Sequence, residues 1–355
     1  MISIESISKE NIELVANKNK ADKILVEKVI RALLLLEILS GSKLYFVFKG
    51  GTALMLLLNS TRRLSIDIDI IVPDKKIDIG SILNSVIQDK GFIRFEKHNR
   101  EVESEIIKEH YKLFYKSSID GNESNILLDV LFEEVHYTNV IELQISSPFC
   151  IIENDPNIVK VPNFNNIIAD KLTAFAPNTT GIPYFKKDKE MGMEIIKQMY
   201  DIGTLFDRVD NILMVREVFN LFVSTEAKYR NIKIDSVDVL KDIYYNSLSI
   251  CLRAPVENCR FEILNKGIKQ IKSFIFSEQF HIEKAITLAS RVAYLSVLID
   301  KGKNEKIDFF NHNLNMSDWE IKQPFETKLN KLKKTNIEAF YYWYRIYELL
   351  QFNKH

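Results

Sequence analysis

The chain has 355 residues, 46% of them hydrophobic and 27% charged, with 48 basic residues against 48 acidic ones. That is globular composition, and the length predicts two domains. The zero net charge excludes a general nucleic-acid coat, and no apolar run approaches the roughly 20 residues that cross a bilayer.

The opening MISIESISKENIEL is polar and acidic and lacks the basic start and small-residue site of a secretory signal, so a cytoplasmic protein with no membrane partner is expected. Cys150, Cys251 and Cys259 form no CxxC pair and sit among apolar neighbours, which predicts buried free thiols. The six histidines show no HxxxH or HxH spacing, so no zinc site is expected.

In chain order, residues 22–40 place Ile24, Leu25, Val29, Ile30, Leu33, Leu34 and Ile38 at helical spacing, with Asp22 as cap and Gly41 as stop. LYFVF (44–48) predicts a short strand ended by Gly50-Gly51, TALMLLL (52–58) a helix, and NSTRR (59–63) a polar turn. IDIDIIV (66–72) alternates carboxylate and isoleucine with period two and stops at Pro73, which is strand behaviour. GFIRFE (91–96), YKLFYKS (111–117), ILLDVLF (126–132) and VIELQI (140–145) also predict strands, with Asp120-Gly121-Asn122 as a turn.

From about residue 163 the periodicity is helical: 164–176, 188–207, 210–224, 235–250, 256–276, 280–300 and 325–352. The fold class expected is α+β, a mixed-sheet domain over 1–160 followed by a mainly helical one over 161–355.

The chemistry concentrates in FKGGTALMLLLNSTRRLSIDIDIIV (48–72). Asp67 and Asp69, two apart on a strand, leave the same face with Cα atoms roughly 6.5–7 Å apart. Two such carboxylates repel each other, and a hard divalent cation relieves that penalty while also taking phosphate oxygens. This points to Mg²⁺ or Mn²⁺ with an NTP as substrate. A strand entering Gly50-Gly51 and then a helix near Thr52 leaves helix N-terminal amides for a phosphate, and glycine permits its close approach. Ser65 and Arg63 share the carboxylate face, where the hydroxyl and the guanidinium can bind phosphate oxygens.

KGGTAL followed by RLSIDIDIIV resembles the first motif of the AbiEii/AbiGii toxin family, within the DNA polymerase beta-like nucleotidyltransferase superfamily. The resemblance implies a polymerase beta-like mixed sheet with flanking helices, and a toxin of a type IV toxin–antitoxin or abortive-infection (phage-defence) system. It implies transfer of a nucleoside monophosphate to an RNA acceptor such as a tRNA 3′ end, with a cognate antitoxin as a further partner. Ser65 and Asp67 would be the core functional residues, Asp69 the second carboxylate, and Lys49, Gly50, Gly51, Thr52 and Arg63 nucleotide-binding.

NIIADKLTAFA (166–176) is similar to the third motif, with Lys171 as its lysine, and KQMYDIGTL (197–205) to the fourth, with Asp201 as its aspartate. Lys197-Gln198 stands where the family often has an Arg-Asp or Lys-Asp pair, and PNTTGIPYFKKDKEMGM lengthens the spacer between the two motifs. Asp129 in ILLDVLF fits the third metal-binding carboxylate of beta-like polymerases.

Each residue also has a plainer reading. Lys171 would be a lysine at a helix rim, Asp201 a surface aspartate that would otherwise orient Lys171 or accept a proton, and Asp129 a buried edge-strand aspartate bonded to a loop. The basic segments 186–189 and KLNKLKK (328–334) lie near Tyr184 and Phe185 and near Tyr341, Tyr342, Trp343 and Tyr344. Phosphate contact plus base stacking is how RNA ends are held, and the 184–189 loop is the better of the two. A small-molecule, antibiotic-type nucleotidyltransferase and an NTP-binding regulatory protein without chemistry are the alternatives.

Overall fold

A computed structural model describes residues 1–58, 62–98, 107–302 and 306–351. The chain divides into two compact units: Met1–Asn163 with Ser273–Gln279, and Phe164–Lys272 with Phe280–His355.

The first unit contains α1 (Lys9–Asn19), α2 (Lys23–Gly41), β1 (Val47–Lys49), α3 (Gly50–Leu58), β2 (Ile68–Ile71), α4 (Ile79–Val86), β3 (Arg94–His98), β4 (Ile107–Lys116), β5 (Glu123–Phe132), β6 (Val140–Gln144) and β7 (Ile158–Pro162). The helix expected at 22–40 forms as α2; the Asp22 side chain accepts from the Leu25 amide at 2.9 Å, and the helix ends at Gly41. Leu33 to Leu36 are all buried. Each such leucine contributes about 1.5–3 kcal/mol relative to an exposed one, so α2 is the central packing element of this unit.

The five-stranded sheet has the order β1-β2-β5-β4-β3. β2 and β5 are parallel, and the other neighbours are antiparallel, which makes the sheet mixed. Period-two alternation sends Ile68, Ile70, Leu128, Val130, Tyr111 and Leu113 into the core. Asp69, Asp129 and His110 leave the opposite, half-buried face. Strand bounds shift from the expected ones: β1 starts at Val47 rather than 44, and β4 reaches back to Ile107 because β5 offers it partners as far as Phe132. β6 pairs with β7, a strand not expected from sequence. Of the turn expected at 59–63, residues 59–61 lie outside the described residues.

The second unit contains α5 (Phe164–Ala174), the hairpin strands β8 (Phe185–Lys186) and β9 (Lys189–Glu190), α6 (Gly192–Leu205), α7 (Ile212–Arg230), α8 (Ser236–Leu252), α9 (Phe261–Gln270), α10 (Ile282–Lys301), α11 (Leu332–Thr335) and α12 (Ile337–Gln351). Two expected helices are corrected. Residues 188–191 belong to the hairpin instead of the start of α6. The segment 325–352 is broken at Asn336, whose side-chain oxygen accepts from the Ala339 amide and so begins a new helix.

The C-terminal aromatics Tyr341, Tyr342 and Trp343 are buried, and Lys333 donates to the Ser317 and Trp319 carbonyls. That assigns the aromatics of the 328–344 cluster to the core, while Lys328, Lys331 and Lys334 stay exposed. Cys251 and Cys259 are buried and Cys150 is half-buried, all three as free thiols. No helix among the described residues is long and apolar enough to cross a membrane.

Candidate active site

β1 delivers the chain to Gly50, whose φ of +82° lies in the left-handed region that favours glycine. A Cβ there would sit 2.1 Å from Oδ2 of Asp69, and one on Gly51 would sit 2.6 Å from Oγ of Ser65 and 2.8 Å from Nη2 of Arg63. The glycines were expected to make room for a ligand; they make room first for the acidic, hydroxyl and guanidinium groups of the site itself. Thr52, fully buried in the first turn of α3, donates its hydroxyl to the Asp67 carbonyl at 2.6 Å and ties the helix to the segment entering β2. Arg63 is largely buried, donates to the Leu64 carbonyl at 3.2 Å, and bridges to Ile275.

Sheet register then lines up a row of functional groups. Lys49 pairs with Asp69, Asp69 with Asp129, and Asp129 with His110. Directly paired residues project to the same face, so these four side chains follow one another across four adjacent strands. They line a cavity of about 200 Å³ together with Lys108. His110 Nδ1 lies 2.6 Å from Asp129 Oδ1. The Lys49 ammonium stands 5.9 Å from the centre of the Tyr137 ring. A larger cavity of about 360 Å³, walled by Leu240, Tyr244, Val297 and Leu350, lies in the helical unit and gathers no comparable set of charged groups.

Two expectations about the carboxylates are corrected. Asp67 precedes β2, which begins at Ile68, so only Asp69 of the pair is a strand residue. Asp129 is neither buried nor on an edge: β5 is the central strand, its core face is carried by Ile126, Leu128, Val130 and Phe132, and the Asp129 side chain is 38% exposed. By donor type, Asp69 and Asp129 suit a hard divalent cation, being carboxylates on neighbouring strands and one face. Among the described residues, no three His, Cys, Asp or Glu side chains are gathered into a ready metal cluster.

The second unit carries the other two expected residues. Lys171 on α5 donates to Asp201 Oδ2 on α6 at 2.6 Å, with side chains only 7% and 2% exposed. The rim lysine and surface aspartate readings are therefore both overturned. The pair is interior, where an ion pair holds because each charge compensates the other. Gln198 Oε1 makes a longer contact to the same ammonium at 3.4 Å.

Sequence reasoning missed His110, Lys108 and Tyr137. The strand expected at 111–117 began one residue after the histidine. Extending its alternation backwards through IKEH would have placed Lys108 and His110 on the polar face.

A search of curated protein sequences finds no match. Two solved structures are similar at 17% identity: JHP933 from Helicobacter pylori (TM-score 0.44, covering 79% of this chain and 94% of that one) and a putative nucleotidyltransferase from H. pylori (TM-score 0.43, 78% and 93%). The family described as nucleotidyl transferase AbiEii toxin, type IV TA system, matches residues 33–280. That match spans most of the chain, including β1, β2 and β5 and the buried lysine–aspartate pair. The chain belongs to the AbiEii family of nucleotidyltransferase toxins.

Proposed function

We propose that this protein transfers a nucleoside monophosphate from an NTP to the 3′ hydroxyl of an RNA, such as a tRNA, as the toxin of a toxin–antitoxin or phage-defence pair. The observation that carries this reading is the Lys49–Asp69–Asp129 row beside Gly50 at the start of α3. It sets acidic groups next to helix N-terminal amides, a combination suited to a metal-bound triphosphate.

Asp67, Asp69 and Asp129 would hold magnesium or manganese, which supplies charge neutralisation on the triphosphate oxygens. The amides at Gly50 and Gly51, with Ser65 and Arg63 packed at Gly51, bind phosphate oxygens through hydrogen bonds fixed before the substrate arrives. The Lys49 side chain adds positive charge on the same face as the carboxylates. The acceptor hydroxyl oxygen attacks the α-phosphorus in line, its proton passes to solvent water as the P–O bond forms, and the bond to the β-phosphate oxygen breaks to release pyrophosphate, so positioning and charge stabilisation supply most of the rate.

Asp201 is already engaged with the Lys171 ammonium, which favours an orienting role over proton acceptance. The contact from Gln198 to Lys171 keeps a polar partner in the place where the family often has a carboxylate, which weakens the case for a regulatory protein without chemistry. A separately encoded antitoxin is the protein partner in this reading.

The test is incubation of the protein with total RNA and each α-labelled NTP in turn. Label is expected in RNA and absent with Asp67→Ala or Asp69→Ala, both retaining the native circular dichroism. Label appearing only in small acceptors would replace the RNA reading with an antibiotic-type one, and undiminished transfer by both variants would remove the metal role.

A further inference from the structure

Between α5 and α6, residues 175–191 make an excursion that ends in the β8–β9 hairpin. It is firmly anchored. Asp242 on α8, only 6% exposed, accepts from the Asn178 amide and side chain, both at 2.8 Å, and from the Thr179 hydroxyl at 3.0 Å. Asn246, one turn further along, donates to Asp242 at 2.7 Å and accepts from the buried Tyr184 hydroxyl. Arg230 holds the Thr179 and Gly181 carbonyls at 3.1 and 3.0 Å, and the Met191 amide closes the hairpin onto the Tyr184 carbonyl at 2.9 Å. A buried carboxylate is costly unless satisfied, and once satisfied it fixes one arrangement. Here it fixes the base of the hairpin.

The tip presents the opposite chemistry. Phe185, Lys186, Lys187, Asp188 and Lys189 are all exposed, Lys189 pairs with Glu194 at 4.0 Å, and the Arg260 guanidinium lies 5.5 Å from the Phe185 ring centre. Glu190 is engaged by Lys266 at 2.9 Å, while Lys186 and Lys187 make no ion pair among the described residues. An acidic peptide would use these charges but leave the ring idle. A single-stranded nucleic acid uses both, phosphates on the lysines and a base on the aromatic face.

We infer that the tip of the β8–β9 hairpin is a docking surface for single-stranded RNA. Lys186 and Lys187 contact the backbone, and a base stacks on Phe185 beside Arg260. This rests on the RNA-acceptor reading above and adds where, in the helical unit, the acceptor strand is held. Because the hairpin is anchored before RNA arrives, little ordering remains to be done on binding.

The experiment measures fluorescence anisotropy of a labelled single-stranded oligoribonucleotide with the full chain over a KCl series. Phe185→Ala is expected to weaken binding roughly 5- to 150-fold, while Phe185→Tyr, which keeps the aromatic face, stays near the wild type. Lys186→Glu combined with Lys187→Glu should flatten the log–log salt slope by about 1.4, or 0.7 per phosphate contact. All three changes are at exposed positions, and an unchanged melting temperature confirms folding. Wild-type binding that none of the variants alters overturns the hairpin surface and leaves the RNA-acceptor reading standing. No RNA binding by the wild type overturns both. Displacement of the RNA by polyglutamate, equally from wild type and Phe185→Ala, overturns it in favour of an acidic protein partner.

Discussion

His110 and Asp129 face each other across β4 and β5, with Nδ1 of the imidazole 2.6 Å from Oδ1 of the carboxylate. The contact commits one oxygen of Asp129, a residue that pairs in register with Asp69 on the neighbouring strand. A carboxylate held this way has one preferred orientation, and residues that orient a metal-binding carboxylate commonly matter nearly as much as the ligand itself.

His110→Ala is therefore expected to lower nucleotide transfer by about 10- to 100-fold, with Tm close to wild type because the side chain lies on the half-buried face. His110→Gln keeps a nitrogen donor and should recover part of the loss. Steady-state transfer from an α-labelled NTP measures both, and equal, wild-type rates would show that Asp129 needs no orienting partner.

Gly50 and Gly51 separate backbone effects from side-chain effects. Gly50→Ala places a Cβ at positive φ, costing roughly 1–2 kcal/mol, and drives it into the Asp69 carboxylate. Both stability to urea and transfer should fall. Gly51→Ala meets the hydroxyl of Ser65 and the end of Arg63, which can swing aside, so stability should change less than transfer. Equal urea midpoints for wild type and Gly50→Ala would contradict the close approach of Asp69.

The Lys171–Asp201 pair predicts a double-mutant signature. Either single change, Lys171→Met or Asp201→Leu, breaks the buried ion pair from one side and should cost about 3–5 kcal/mol in chemical denaturation. The double variant removes both charges and should regain much of that stability without regaining transfer. Additive losses would mean that the two groups do not compensate each other.

Asp242 makes folding stability depend on pH. Burial is the dominant influence and raises its pKa above the ordinary value of 3.8, against the lowering effect of hydrogen bonds from Asn178, Thr179 and Asn246. A higher pKa in the folded state means that the folded chain holds the proton longer than the unfolded one. The stability so contributed is complete below the unfolded pKa and is lost as pH rises through the folded one. In urea titrations from pH 3.5 upward, the stability advantage of wild type over Asp242→Asn should therefore narrow with rising pH. A gap that widens instead would reverse the assigned direction.

What was legible in the sequence is what short-range chemistry decides. The Asp22 cap, the length of α2 and the Ile68–Asp69–Ile70 part of the alternation expected over 66–72 follow from hydrogen bonding and periodicity within a few residues, and each is present in the fold. The family followed from the residues of KGGTAL and RLSIDIDIIV. Side-chain environment was less legible. Lys171 and Asp201 are 30 residues apart, and nothing in either helix alone says that their polar faces meet and leave water. The half-exposed setting of Asp129 depends on β5 lying at the centre of the sheet with its other face packed on the core.

Sequence alone thus singled out side chains whose chemistry suits phosphate and metal, because that chemistry belongs to the residue types and their local spacing. Only the tertiary structure decided which of them share a row, which are interior and which partner each meets. Strand register and helix packing are set by contacts between segments far apart in the chain, and a single-residue slip would have turned His110 into the core instead of toward Asp129.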